Sequence, residues 1–158
     1  MLKNIWYFGV ASRALQPGKL VHREICAQPL VFGRTGDGTA FALQDNCPHR
    51  GAPLSEGRIK GDQVECCYHG WTFGTDGKCT TIPALVDDDP VDLSKINVRS
   101  YSLREQQGII WIWVGEGDGA NVPVPKIPDV GDKPPQIVHA LDFDVSISVL
   151  RLDDRIRK

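Results

Sequence analysis

Two thiols and two imidazoles recur in this sequence in short matching runs, Cys47-Pro48-His49 and, sixteen residues later, Cys66-Cys67-Tyr68-His69. Neither run alone carries the four donors that a structural zinc ion or an iron–sulfur cluster takes, so the chain has to bring two loops to one place. Zinc sites usually combine a C-x₂₋₄-C pair with an H-x₃₋₅-H pair, whereas here each run contributes one Cys and one His. That division suits a two-iron cluster in which one iron takes both cysteines and the other both histidines. A structural zinc module used for protein binding is the competing reading from another class.

The rest of the first 115 residues reads as short strands between turn signals, with no helical periodicity long enough to outvote them. Strands are expected at Ile5–Val10, Leu20–Cys26, Leu30–Arg34, Thr39–Leu43, Gln63–Cys66, Val98–Leu103 and Ile109–Val114. Gly36-Asp37-Gly38, Gly61-Asp62 and Thr75-Asp76-Gly77 supply the chemistry of tight hairpins. The fold class is therefore all-β, an antiparallel sandwich or barrel. Ile110, Ile112 and Val114 alternate with Trp111 and Trp113, which predicts a central strand with apolar neighbours on both faces.

Five prolines and three glycines between Glu116 and Pro135 read as an extended linker. Three parts follow: a domain over 1–115, a Pro/Gly-rich linker over 116–135 and a remnant over 136–158. In that remnant Val138, Ala140, Phe143, Val145 and Ile147 alternate as in a strand that cannot fold alone. Asp87-Asp88-Asp89 reads as a solvated loop.

The length of 158 residues fits one domain, and a net charge of −2 offers no general attraction to phosphate backbones or anionic lipid. Neither nucleic acid nor a membrane is expected as a partner. Charges punctuate the N-terminal stretch, and no cleavage site follows it. Five cysteines, an odd number, fit a reducing compartment better than a disulfide framework, so a cytoplasmic location is expected.

Cys47-Pro48-His49-Arg50-Gly51-Ala52-Pro53-Leu54 together with Cys66-Cys67-Tyr68-His69-Gly70-Trp71-Thr72-Phe73 resembles the two boxes of the Rieske [2Fe–2S] domain in Rieske non-haem iron oxygenases. The layout is most similar to the demethylase-like branch, vanillate O-demethylase and its kind. The resemblance implies that Cys47 and Cys66 bind one iron of a [2Fe–2S] cluster and His49 and His69 the other. It also implies an oxidoreductase role: relaying single electrons from a reductase or ferredoxin toward an O₂-activating mononuclear Fe(II), in an intact enzyme that forms a homo-oligomer such as a trimer. A free-standing Rieske ferredoxin is the alternative, against which the oxygenase style of the boxes speaks.

Ala52 and Tyr68 stand where respiratory Rieske proteins place a disulfide, which favours a lower potential. Cys67 replaces the family's Pro and is read as a non-ligand, because Cys66 keeps the C-x-x-H offset. The family's D-x-x-H-x₄-H triad is absent: the histidines are His22, His49, His69 and His139, and none follows Asp153 or Asp154. No catalytic residue is therefore assigned, and a truncation or altered reading frame is expected near Leu150. Trp71 and Phe73 either shield the cluster or are core, and Arg50 either docks a redox partner or satisfies its loop. His22, Cys26, Cys79 and His139 are read as structural.

Overall fold

The computed structural model describes residues 2–86 and 89–127, and these hold eleven strands and three short 3₁₀ turns but no α-helix. The strands are β1 (Ile5–Ala11), β2 (Leu20–Ile25), β3 (Gln28–Arg34), β4 (Ala40–Gln44), β5 (Arg58–Lys60), β6 (Gln63–Glu65), β7 (Thr72–Gly74), β8 (Cys79–Thr81), β9 (Ser100–Tyr101), β10 (Leu103–Gln106) and β11 (Ile109–Val114). They form three antiparallel sheets ordered β1-β11-β10, β2-β3-β4-β9 and β5-β6-β7-β8. The all-β expectation holds.

The middle sheet is apolar on both faces, which alternation along β3 and β4 dictates. Leu30, Phe32 and Ala42 point to one side, where they meet Val10, Leu15, Ile110 and Ile112. Val31, Phe41 and Leu43 point to the other and meet Leu54, Val64, Phe73, Cys79 and Val98. Two cores thus share one sheet between them. Strand β11 is central as expected, between β1 and β10.

The expected strand Val98–Leu103 is divided. Its first part pairs with β4 in the middle sheet and its second with β11 in the outer sheet, so the chain changes sheets at Ser102. The Ser102 carbonyl meanwhile accepts from the Trp113 amide at 2.9 Å. Strands β5, β7 and β8 carry three residues each, too few to show alternation. The β2–β3 hairpin turns on Cys26 and Ala27, both with positive φ (59° and 56°), without the Asn-Gly that such turns prefer.

Residues 116–127 form no strand, as a Pro-rich stretch should, yet they lie against the outer sheet. The Trp6 indole donates to the Val122 carbonyl (2.8 Å) and the Trp113 indole to Glu116 (3.0 Å). Gln107 exchanges two hydrogen bonds with the Ile127 backbone, and Val124 joins Trp6 and Trp113 in a third apolar cluster. The remnant over 136–158, with His139, Asp153 and Asp154, lies outside the described residues, as do Asp87 and Asp88.

Candidate metal centre

Both motifs fold into the same backbone turn. In the first loop the Cys47 amide donates to the Ala52 carbonyl and the Gly51 amide to the Cys47 carbonyl, each at 2.8 Å. In the second, the Cys66 amide donates to Trp71 (2.8 Å) and the Gly70 amide to Cys66 (3.1 Å), at identical offsets. Gly51 and Gly70 close the turns with φ of +73° and +69°, a conformation that side chains strain to adopt. Only the histidine is displaced: it is the second residue after Cys47 and the third after Cys66.

The structure brings all four expected donors together, as two pairs. Cys47 (2% exposed) and Cys66 (4%) are embedded in the apolar cluster between the middle and third sheets, with the Cys66 thiol within hydrogen-bond reach of Cys47. His49 and His69 lie outside it, exposed, with ring centroids 4.6 Å apart in an edge-on arrangement. Among the described residues, no three His, Cys, Asp or Glu side chains converge as around a single ion.

Burial pushes the Cys47 thiol up to about 11, against the pull of the His49 and Arg50 backbone amides, which donate to its sulfur, while the neighbouring Cys66 raises it further. Those amides are what a metal-bound thiolate requires of its surroundings. Desolvation lowers the His49 pKa, and the positive charges of His69 and Arg50 lower it further, so the neutral, metal-binding imidazole is favoured. This donor set therefore fits a two-iron cluster.

Trp71 and Phe73 both pack in or against the apolar cluster that holds the thiols. Phe73 is fully buried core. Trp71 stacks on His49 across the gap between loops, centroids 4.5 Å apart and planes 3° from parallel, while Tyr68 lies 3.8 Å from the His69 ring. Arg50 is exposed beside His49. Cys67 is exposed, its sulfur turned to the Pro53 carbonyl at 4.0 Å, away from the buried thiol pair. All five cysteines are free, and Cys79 is core, its thiol raised by burial.

One group escaped the sequence reading. The Asp45 carboxylate, its side chain 0% exposed, accepts from the Ser55 amide (2.7 Å), the Ser55 hydroxyl (2.6 Å) and the His22 ring Nδ1–H (2.6 Å). No motif signals it, because its three bonds join positions scattered over 34 residues, from His22 to Ser55.

The chain is similar to known proteins along most of its length. The chain is 36% identical over 141 residues to chlorophyllide a oxygenase of Chlamydomonas reinhardtii, covering 88% of this chain and 20% of that protein. It is 36% identical over 142 residues to the vanillate O-demethylase oxygenase subunit of a Pseudomonas species, covering 89% and 34%. A crystal structure of dicamba monooxygenase superposes with a TM-score of 0.69 at 37% identity, over 82% of this chain and 37% of that one. The chain thus spans between a fifth and about two fifths of the length of these relatives. Residues 5–102 match the model of the Rieske [2Fe–2S] domain. That match covers more than half of the chain, which therefore belongs to the Rieske [2Fe–2S] domain family.

Proposed function

We propose that Cys47 and Cys66 bind one iron and His49 and His69 the other of a single [2Fe–2S] cluster. We further propose that the domain relays single electrons from a reductase or ferredoxin toward the O₂-activating iron of a non-haem oxygenase. The observation that carries this reading is the separation of donors into a buried thiol pair and an exposed imidazole pair. A lone zinc ion would need all four around one point.

When bound, such a cluster accepts one electron at a potential above that of all-cysteine ferredoxins, because two neutral imidazoles replace thiolates. The protein does the rest. The apolar cluster around Cys47 and Cys66 excludes water from the sulfurs, and the His49 and Arg50 amides stabilise thiolate charge. Trp71 fixes the plane of His49, and both imidazoles face the surface where a redox partner docks.

The oxygenase assignment is supported by the names of the relatives, and that context brings the expected homo-oligomer of the intact enzyme with it. Residues 1–115 form the Rieske domain in this proposal, 116–135 the connection, and 136–158 the beginning of a catalytic domain. A cytoplasmic location belongs to this proposal, supported by an odd cysteine count that suits a reducing compartment. Among the described residues, no helix is long and apolar enough to cross a membrane. Protein from iron-replete cells should carry two irons and two acid-labile sulfides per chain and bleach on reduction. A folded sample with one zinc and no sulfide refutes the assignment.

A further inference from the structure

The two loops share a turn but not a foundation. The second is the tip of the β6–β7 hairpin, where Glu65 and Thr72 pair directly beneath Cys66 and Trp71. The first has no such pair. Strand β4 ends at Gln44, and the chain leaves the loop through Pro53 into the 3₁₀ turn Leu54–Glu56. Equivalent geometry around Cys47 therefore needs another fastening.

Asp45 supplies it. It precedes the loop, Ser55 follows it, and the carboxylate bridges them with two bonds, one from the Ser55 amide at 2.7 Å and one from its hydroxyl at 2.6 Å. The Asp45 amide is held by the Pro29 carbonyl at 2.9 Å, so the anchor is rooted in β3. His22 on β2 closes the remaining side at 2.6 Å. A side chain withdrawn wholly from water is costly unless its acceptors are filled, and here three donors fill them. We infer that Asp45 is a positioning residue of the cluster site, its carboxylate standing in for the strand pair that the first loop lacks, with Ser55 and His22 as its partners. This rests on the proposal that Cys47 and His49 are ligands.

The test compares holoprotein variants by the rate at which iron passes to a ferrous chelator and by the electron paramagnetic resonance spectrum of the reduced cluster. Outer partners of metal ligands commonly contribute about 10- to 100-fold in metal retention. Asp45 bonds no ligand directly, so Asp45→Ala should release iron about tenfold faster than wild type, the low end of that range, and broaden the spectrum. Ser55→Ala keeps the amide bond and should fall between them, and Ser55→Thr, which retains a hydroxyl, should restore wild-type retention. Trp6→Ala, in the apolar cluster away from the loops, controls for general destabilisation and should leave the spectrum unchanged. Wild-type release and spectrum in Asp45→Ala overturn the inference. Should Asp45→Ala not fold, wild-type behaviour of Ser55→Ala overturns it equally. If wild type holds no cluster, the ligand assignment itself fails and the inference with it; if wild type holds one and the variants match it, only the inference fails.

Discussion

Gly57→Ala probes the joint between the two metal loops. Gly57 has φ −84° and ψ −151°, which most residues can adopt, so the need for glycine there is one of space. A β-carbon would overlap the Glu65 carbonyl oxygen and stand 3.0 Å from the Leu54 carbonyl oxygen and 3.1 Å from the Glu65 carbonyl carbon. All three are backbone atoms, so no flexible side chain can yield. Glu65 immediately precedes Cys66 and Leu54 ends the first loop, so relief must move one loop against the other. Overpacking of this kind costs about 1–3 kcal/mol. At about 4 °C per kcal/mol the melting temperature should fall by about 4 to 12 °C. Because metal sites tolerate displacements of only about 0.5 Å, iron and sulfide content should fall as well. Differential scanning calorimetry with metal analysis of the same samples reads both, and wild-type melting with a full complement of iron would refute the close-approach argument.

Three further outcomes are expected. Cys66→Ala should lose the visible chromophore and Cys67→Ala keep it, since only Cys66 belongs to the buried thiol pair; equal loss in absorption spectra would mean the second loop is misread. In iron-free protein, the Cys47 thiol stays protonated up to about 11 when folded but ionises near the ordinary thiol value of 9 when unfolded. Its contribution is therefore complete below pH 9 and is lost as pH rises to 11, and a urea midpoint that does not fall over this window contradicts the assigned burial. Trp6→Ala removes a side chain only 5% exposed along with its bond to Val122, and should cost about 3–5 kcal/mol by denaturant titration; a loss below 1 kcal/mol would show that residues 116–127 are not fastened there.

The candidate metal centre was legible because metal binding needs particular side chains at short offsets, and Cys47, His49, Cys66 and His69 can be compared by eye. Strand β11 was readable for a related reason: six residues that bury both faces leave an unbroken apolar run. What was not legible depends on partners distant in sequence. Nothing local marks Ser102 as the point where the chain changes sheets, since the cause is its pairing with β4 on one side and β11 on the other. The turn at Cys26 and Ala27 is imposed by the six-pair ladder of β2 and β3, which overrides the weak turn preference of both residues. Asp45 carries no local signal, because Ser55 and His22 reach it only in the folded chain.

The fastening of residues 116–127 to the outer sheet also changes a length. Measured from Val114, the end of the last strand, the Pro-rich stretch would act as a long leash, and whatever follows would sample a wide volume around the metal loops. Instead it is held to the outer sheet through Glu116, Ala120, Val122 and Ile127. The thirteen residues from Gly115 to Ile127 would span about 44 Å if fully extended, at about 3.4 Å each, and that length is laid against the domain instead. Trp6, Arg104 and Gln107 thereby turn a stretch whose composition reads as a flexible spacer into a strap laid on the outer sheet.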